Sequence, residues 1–105
     1  MKIGVDLTYI PRFKDKDLLA KKILSSEELK FYDNSENKAQ FLASRFALKE
    51  AFIKSLEGSI LGFDLTKIMT KHKDNGAIYI EFNDKIFQCS LSHENEYCIG
   101  VVLND

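Results

Sequence analysis

The chain has 105 residues, a formal net charge of -1 and 45% hydrophobic residues, which is ordinary for a globular protein. This length predicts one domain over residues 1–105 with a modest hydrophobic core. A partner subunit is therefore expected to supply part of the stability or a wall of a site. The near-neutral charge gives no indication of a nucleic-acid or membrane surface.

The two cysteines argue against a structural zinc site. Cys89 and Cys98 lack CxxC spacing, and no cluster of His and Cys surrounds them. We expect reduced core residues that face each other across a β-hairpin. The first residues do not have the pattern of a secretory signal, and no apolar run approaches bilayer length. A cytoplasmic protein is expected.

The first residues alternate in polarity and predict a strand over residues 1–7. Ile3, Val5 and Leu7 share one face, which is expected to pack toward the core, and Gly4 and Asp6 share the other. A carboxylate near the end of a short strand has two common uses. Asp6 is therefore either a cap or turn acid, or a metal ligand.

Two short helices are predicted next. Pro11 sets a turn or a first helical position, and residues 15–24 follow with helical apolar spacing. Ser25 and Glu28 match a capping box, so a second helix is expected to start there and run to about Tyr32.

A locally basic stretch overlaps these helices. It is either a solvated helix face or a docking surface for an acidic partner. Its basic residues in the docking interpretation are Arg12, Lys14, Lys16, Lys21 and Lys22.

The longest segment without Gly or Pro predicts a central core helix over residues 39–56. Arg45 and Lys49 fall inside its apolar arc, where each either snorkels to solvent, pairs with an acidic neighbour or contacts a ligand. Glu50 and Lys54 fall at the edge of that arc. They share a strip with Ala43 and Ala47, which leaves room for a site.

Strand patterns follow the central helix. The candidate strands are residues 66–72, 77–82, 86–92 and 97–103, with an Asn-Gly turn at residues 74–76. Helices followed by strands predict an α+β fold with an antiparallel meander. His93 is expected at a turn after the third of these strands, as either a partly buried turn histidine or a ligand contact.

Three segments, in this order and spacing, resemble a known family: GVDLTYIPR at residues 4–12, FLASRFALKEAFIKSL at residues 41–56, and CSLSHENEYCIGVVL at residues 89–103. They are similar to the small bacterial holo-acyl-carrier-protein synthases, which are 4'-phosphopantetheinyl transferases. The resemblance covers nearly the whole chain. It implies one α+β domain in which a long central helix and short helices pack on an antiparallel sheet.

The resemblance also implies a reaction. The phosphopantetheine arm of coenzyme A passes to a serine of an acyl carrier protein, with Mg2+ required and adenosine 3',5'-bisphosphate released. Asp6 and Glu50 match the metal ligands, and Lys54 matches a phosphate contact. The base that takes the serine proton is a metal-bound water, Glu50 or another group.

Other positions match the family's contacts with coenzyme A. They are Arg45, Lys49, His93 and the loop at Gly58 and Ser59. Two departures stand out. Glu57, Gly58 and Ser59 replace a common Gly-Thr-Gly, and Tyr9 replaces a common Glu.

The resemblance implies two kinds of protein partner. The basic stretch would dock the acidic carrier protein, and the enzyme would be a homotrimer with active sites between subunits. Two alternatives to an enzyme are a non-catalytic binding module for an acidic partner and a small nucleic-acid-binding domain. Balanced charge and the lack of an aromatic RNA-binding motif disfavour the nucleic-acid-binding domain.

Overall fold

A computed structural model of the chain describes residues 1–57 and 62–105. These residues form three α-helices, five strands and two short 3-10 turns. The helices are α1 (Asp17–Ile23), α2 (Ser26–Asp33) and α3 (Lys38–Ser55). The strands are β1 (Lys2–Tyr9), β2 (Met69–His72), β3 (Ile78–Phe82), β4 (Lys85–Glu94) and β5 (Tyr97–Asn104). The 3-10 turns are Ile10–Phe13 and Leu65–Lys67. This confirms the predicted α+β class.

All five strands form one antiparallel sheet in the order β1-β5-β4-β3-β2. The last four strands are the predicted meander. The first strand pairs with the last, with Val5 opposite Val101 and Thr8 opposite Cys98. The long helix α3 lies across β1 and β5, so residues from opposite ends of the described chain meet beneath it.

Local signals explain where the helices begin. Ser25 and Glu28 form the predicted capping box: the Ser25 hydroxyl accepts from the Glu28 amide at 3.2 Å, and the Glu28 carboxylate accepts from the Ser25 amide at 2.7 Å. The side chain of Asn37 caps α3 by accepting from the Gln40 amide at 3.1 Å. These caps satisfy amides that the first turn of a helix leaves unpaired.

The hydrophobic core has two parts, and α3 contributes to both. One lies beneath α1 and α2 and includes Phe13, Ile23 and Leu42. The other lies over the centre of the sheet and includes Phe52 and Ile80. No helix in the described ranges 1–57 and 62–105 has both the length and the apolarity needed to cross a bilayer.

The face of α3 that lies on β1 and β5 is made of small residues. Ala43, Ala47 and Ala51 are fully buried there. A methyl group on Gly4 would lie 1.7 Å from the Ala51 carbonyl oxygen, and one on Gly100 would lie 3.1 Å from the backbone of Ala47. The small strip predicted to leave room for a site instead allows the backbones of helix and strands to approach each other closely.

This close approach corrects the predicted orientation of β1. Gly4 and Thr8 are buried against α3, and the Thr8 hydroxyl donates to the Ala43 carbonyl at 3.2 Å. The apolar residues Ile3, Val5 and Leu7 face away from the helix and are 65%, 49% and 61% exposed. At Gly4 no side chain fits, because the strand backbone there already touches the Ala51 carbonyl of the helix.

Other sequence predictions also need correction. The thiols do not face each other, because Cys89 lies opposite Val102 and Cys98 lies opposite His93. Both thiols are free, and burial raises the pKa of Cys89 to about 11. The strand predicted from residue 66 begins at Met69, because Asp64 caps a 3-10 turn by accepting from the Thr66 amide.

The contact beneath α3 predicts unequal effects for two matched substitutions. Gly4→Ala should lower the free energy of unfolding by about 3 kcal/mol or more, because the added methyl meets a backbone carbonyl that does not move alone. Gly100→Ala should lower it by about 1 kcal/mol, because a shift of a few tenths of an ångström relieves the contact. Urea denaturation measures both values, and equal effects would contradict this account of the packing.

Candidate functional site

Three of the predicted site residues meet where α3 crosses β1. Asp6 lies on the same strand face as Gly4 and Thr8, so its carboxylate points toward the helix edge. The Lys54 ammonium donates to an Asp6 carboxylate oxygen at 3.0 Å and to the Val5 carbonyl at 3.1 Å. The close packing of strand and helix therefore places Asp6 beside the last turns of α3.

Glu50 completes this group. Its pKa is raised, first because burial disfavours the carboxylate and second because the Asp6 charge repels it, whereas the Lys54 charge acts in the opposite direction. Two neighbouring carboxylates that repel each other form a place where a cation is stabilised. Asp6, Glu50 and Lys54 are called the carboxylate site below.

The chemistry of the carboxylate site fits Mg2+. Among the described residues, no group of three or more His, Cys, Asp or Glu side chains comes together to hold a metal. Mg2+ does not need such a cage, since it is usually bound by one or two carboxylates together with waters and substrate phosphates. Asp6 and Glu50 could hold it. The Lys54 side chain is 54% exposed and within reach of a phosphate beside them.

Lys49 lies elsewhere, in the interior of the protein. Its ammonium donates to the Glu28 carboxylate at 2.6 Å, to the Ile23 carbonyl at 2.6 Å and to the Leu65 carbonyl at 2.9 Å. These acceptors use all three of its protons. The structure thus supports the alternative in which this charge pairs with an acidic neighbour, and it leaves no Lys49 donor for a nucleotide.

Arg45 is also buried, but its guanidinium is not fully paired. It stacks on the Phe41 ring at 4.3 Å, and one terminal nitrogen donates to the Ser44 hydroxyl at 2.9 Å. The Nε atom has no hydrogen-bond partner among the described residues. A buried donor left unpaired is costly, so an anion at this position would be stabilised.

His93 lies opposite Cys98 in the pairing of β4 with β5. It is an exposed residue within β4, not in the turn where the sequence placed it. Its strand neighbour Cys98 lies close enough to Arg45 for the two to interact electrostatically. His93 also lines an open groove of about 280 Å³ at the end of the sheet, together with Leu7, Tyr97 and Ile99.

The predicted site residues therefore form two groups within one chain. The carboxylate site lies at the β1 side of α3, and Arg45 and His93 lie toward β4. Of the predicted loop, Gly58 and Ser59 are outside the described residues, and Glu57 is exposed where α3 ends. Tyr9, the other departure, packs against Tyr97 with ring centroids 5.3 Å apart.

All of the predicted docking residues are exposed, either before or on α1: Arg12, Lys14, Lys16, Lys21 and Lys22. One residue of this surface was not among the predicted docking residues. Leu18 was counted in the helical apolar spacing of residues 15–24, but its side chain is 76% exposed among these lysines. A helical wheel contains the signal, because Leu18 lies well away from the buried Ala20 and Ile23.

The two lysines of α3 should differ sharply in their effect on stability. Lys49→Met should lower the free energy of unfolding by about 3–5 kcal/mol, because it leaves a buried carboxylate unpaired. Lys54→Met should lower it by less than about 1 kcal/mol, because its ion pair is open to solvent. Chemical denaturation of the two variants checks this. A large loss in Lys54→Met would mean that this residue is structural rather than available to a ligand.

The sequence matches one known family over nearly its whole length. Residues 2–102 match the family model of the 4'-phosphopantetheinyl transferase superfamily. The holo-[acyl-carrier-protein] synthase of Mycoplasma mobile is 42% identical over 102 residues, which cover 96% of this chain and 86% of the relative.

Two solved structures of holo-[acyl-carrier-protein] synthases have the same fold. The enzyme from Neisseria meningitidis superposes with a TM-score of 0.85 at 25% identity, covering 96% of this chain and 94% of that one. The enzyme from Helicobacter pylori, in complex with coenzyme A, superposes with a TM-score of 0.83 at 25% identity, covering 96% and 97%. The chain belongs to the 4'-phosphopantetheinyl transferase superfamily, in its holo-[acyl-carrier-protein] synthase branch.

Proposed function

We propose that the chain transfers the 4'-phosphopantetheine group from coenzyme A to a serine of an apo-acyl carrier protein. The observation that carries this proposal is the meeting of Asp6, Glu50 and Lys54 where β1 passes under α3. The names of the relatives state the same activity for those proteins. A non-catalytic binding module would have no use for two carboxylates held together beside a lysine.

In this reaction the serine oxygen bonds to the phosphorus that carries the pantetheine arm. The phosphoanhydride bond of coenzyme A breaks, the serine proton passes to a base, and adenosine 3',5'-bisphosphate leaves. Lys54 would hold the diphosphate, which its charge beside Asp6 and its largely exposed side chain support. Asp6 and Glu50 would hold Mg2+, which would neutralise charge on the leaving phosphate.

The nucleotide end of coenzyme A would be held by Arg45 and His93. The unpaired Nε of Arg45 supports this role, since a phosphate would supply the missing acceptor. Neither residue belongs to the carboxylate site of the same chain. Active sites shared between subunits would join the two groups.

An outer sheet face supports assembly of several copies. The residues of β1 and β5 that point away from α3 form a continuous apolar surface: Ile3, Val5, Leu7, Tyr9, Tyr97 and Ile99. A patch of this kind on a small protein marks an interface. We propose that it joins copies of the chain into a homotrimer, and that the trimer works in the cytoplasm, where the carrier protein and coenzyme A are expected.

The exposed basic residues of the 3-10 turn and α1 would dock the acidic carrier protein. Leu18 adds an apolar contact at the centre of these charges. Interfaces often combine one buried apolar anchor with a charged rim, and the rim mainly accelerates association. The carrier serine would then approach the carboxylate site from the α1 side.

Glu50→Gln should abolish transfer while leaving the fold intact, because it removes a charge from the metal site without changing its shape. We expect a loss of at least about a hundredfold, the size seen when one group of a charge-stabilising site is removed. The enzyme is mixed with coenzyme A, Mg2+ and apo-acyl carrier protein, and mass spectrometry detects the phosphopantetheine adduct on serine.

Two additional measurements make this test decisive. Calorimetric titration with Mg2+ should show weaker binding to Glu50→Gln than to the unchanged protein. Glu36→Gln, which neutralises an exposed carboxylate before α3, should behave as the unchanged protein in both assays. Near-normal turnover by Glu50→Gln would disprove the metal assignment.

The docking surface predicts two different responses to salt. Arg12→Glu should raise KM for the carrier protein far more than KM for coenzyme A, and salt should reduce this difference. Leu18→Ala should raise KM for the carrier by about tenfold with the same salt dependence as the unchanged protein, since an apolar contact is not screened.

Lys73→Glu provides the matched charge reversal, because Lys73 is exposed in the turn between β2 and β3, outside this surface. It should leave both KM values unchanged. Equal effects of Arg12→Glu on the two substrates would count against docking at α1. Steady-state kinetics at several salt concentrations measure all three variants.

A further inference from the structure

We propose that the buried ion pair between Glu28 and Lys49 is a positioning device that holds the docking helix α1 at a fixed place on the catalytic helix α3. The inference rests on the proposed function, because it concerns how the carrier protein is presented to the carboxylate site. Neither residue touches a reacting atom. Each acts through the element that it holds.

Lys49 contacts the end of α1 directly. Ile23 is the last residue of α1, and its carbonyl accepts from the Lys49 ammonium at 2.6 Å. The final carbonyls of a helix lack partners within the helix and carry partial negative charge. A fully buried cation on α3 therefore fixes the end of α1.

Glu28 fixes the position of the Lys49 ammonium. One carboxylate oxygen accepts from Lys49 and from the Ser25 amide at 2.7 Å. The other accepts from the Thr70 amide at 2.8 Å and from the Thr70 hydroxyl. Both oxygens are occupied, so the pair is locked between α2, α3 and β2. Fully satisfied buried polar networks of this kind are rigid.

Few side chains of the short helix α1 are buried. It has seven residues, of which Ala20 and Ile23 are buried and Leu19 packs partly against the core. A helix of this length is marginal without tertiary contacts. At its other end, the Tyr32 hydroxyl donates to the Asp17 carboxylate at 2.7 Å. Polar contacts thus tie down both ends of α1.

The ion pair is also adjacent to the carboxylate site in the sequence. Lys49 immediately precedes Glu50 in the sequence, so the residue that holds α1 and the residue that belongs to the carboxylate site share one turn of α3. A shift of α1 relative to Lys49 would move a docked serine relative to Glu50. Misplacements of about 1 Å cost up to about a hundredfold in rate.

The nature of the pair also favours a positioning role. Apolar residues of similar volume often stabilise a protein interior as well as a buried ion pair does. What they lack is directional contact with particular carbonyls. The Glu28–Lys49 pair provides such contacts with Ile23 and Leu65, in addition to filling space.

The experiment uses the double variant Glu28→Gln with Lys49→Met, which removes both charges and so leaves no unpaired buried charge. We expect it to fold and to raise KM for the carrier protein by about tenfold or more, with KM for coenzyme A within about twofold of normal. Hydrogen exchange should become faster at the amides of residues 17–23, with α3 remaining protected.

The matched control is Lys71→Met. It breaks the ion pair between Lys71 and Glu81, which joins β2 and β3 at 3.3 Å and is partly exposed. It should leave both KM values and exchange in α1 unchanged. This comparison separates loss of this particular pair from loss of any ion pair.

A role in stability alone makes a different prediction. A folded double variant with normal KM for the carrier and normal exchange in α1 would overturn the proposal. If the double variant does not fold, Thr70→Val tests the same pair, because it removes the hydroxyl that donates to the Glu28 carboxylate and leaves the volume of the side chain nearly unchanged. Unchanged carrier KM and α1 exchange in Thr70→Val would then overturn the proposal.

Failure of the proposed function would look different from failure of this inference. If the unchanged enzyme modifies no carrier protein, the proposed transfer is wrong. Hydrogen exchange of α1 in the double variant, or in Thr70→Val if the double variant does not fold, still decides whether the Glu28–Lys49 pair fixes that helix.

Discussion

The rest of the structure depends on the close approach of α3 to the backbones of β1 and β5. Glycine at positions 4 and 100, opposite buried alanines of the helix, allows backbone to meet backbone. The approach brings Asp6 to the last turns of the helix. It also forces the large apolar residues of β1 to the outer face of the sheet, where they become available to another copy of the chain. One packing constraint thus shapes both the carboxylate site and the proposed subunit interface.

Two lysines on the same helix show how location decides the role of a charge. Lys54 lies at the helix edge, shares an ion pair with Asp6 and remains largely exposed. Lys49 lies one turn earlier on the inner side and has no exposed surface. The same type of side chain is therefore the proposed phosphate contact in one place and a buried internal tie in the other.

Much of the fold could be predicted from local patterns. The capping box at Ser25, the long apolar helix and the strands after it depend on residues close in sequence, and they were found. The residues of the carboxylate site were also identified, but through resemblance to a family rather than through spacing alone. That these residues meet depends on tertiary packing, which no local sequence pattern predicts.

The errors share one physical cause. A local pattern of side chains does not show which other element of the fold will cover it. The pattern of β1 was read correctly, but its apolar face was assigned to the core, whereas the opposite face, with Gly4 against the Ala51 carbonyl, packs beneath α3. The resemblance placed Lys49 among the coenzyme A contacts, and no pattern within its own helix reveals that it pairs with Glu28 of another helix. Periodicity shows which residues share a face, and tertiary packing decides which face is buried.

The pairing of β1 with β5 has a consequence for how the protein is made. Its register joins Lys2 to Asn104, so the first strand finds its partner only after nearly all of the described chain has been synthesised. Contacts between residues so distant in sequence form late and slowly. Until then, a strand with an apolar outer face is unpaired on both edges and open to unwanted association. The arrangement that forms the carboxylate site and the proposed interface makes the nascent chain dependent on rapid completion of the sheet.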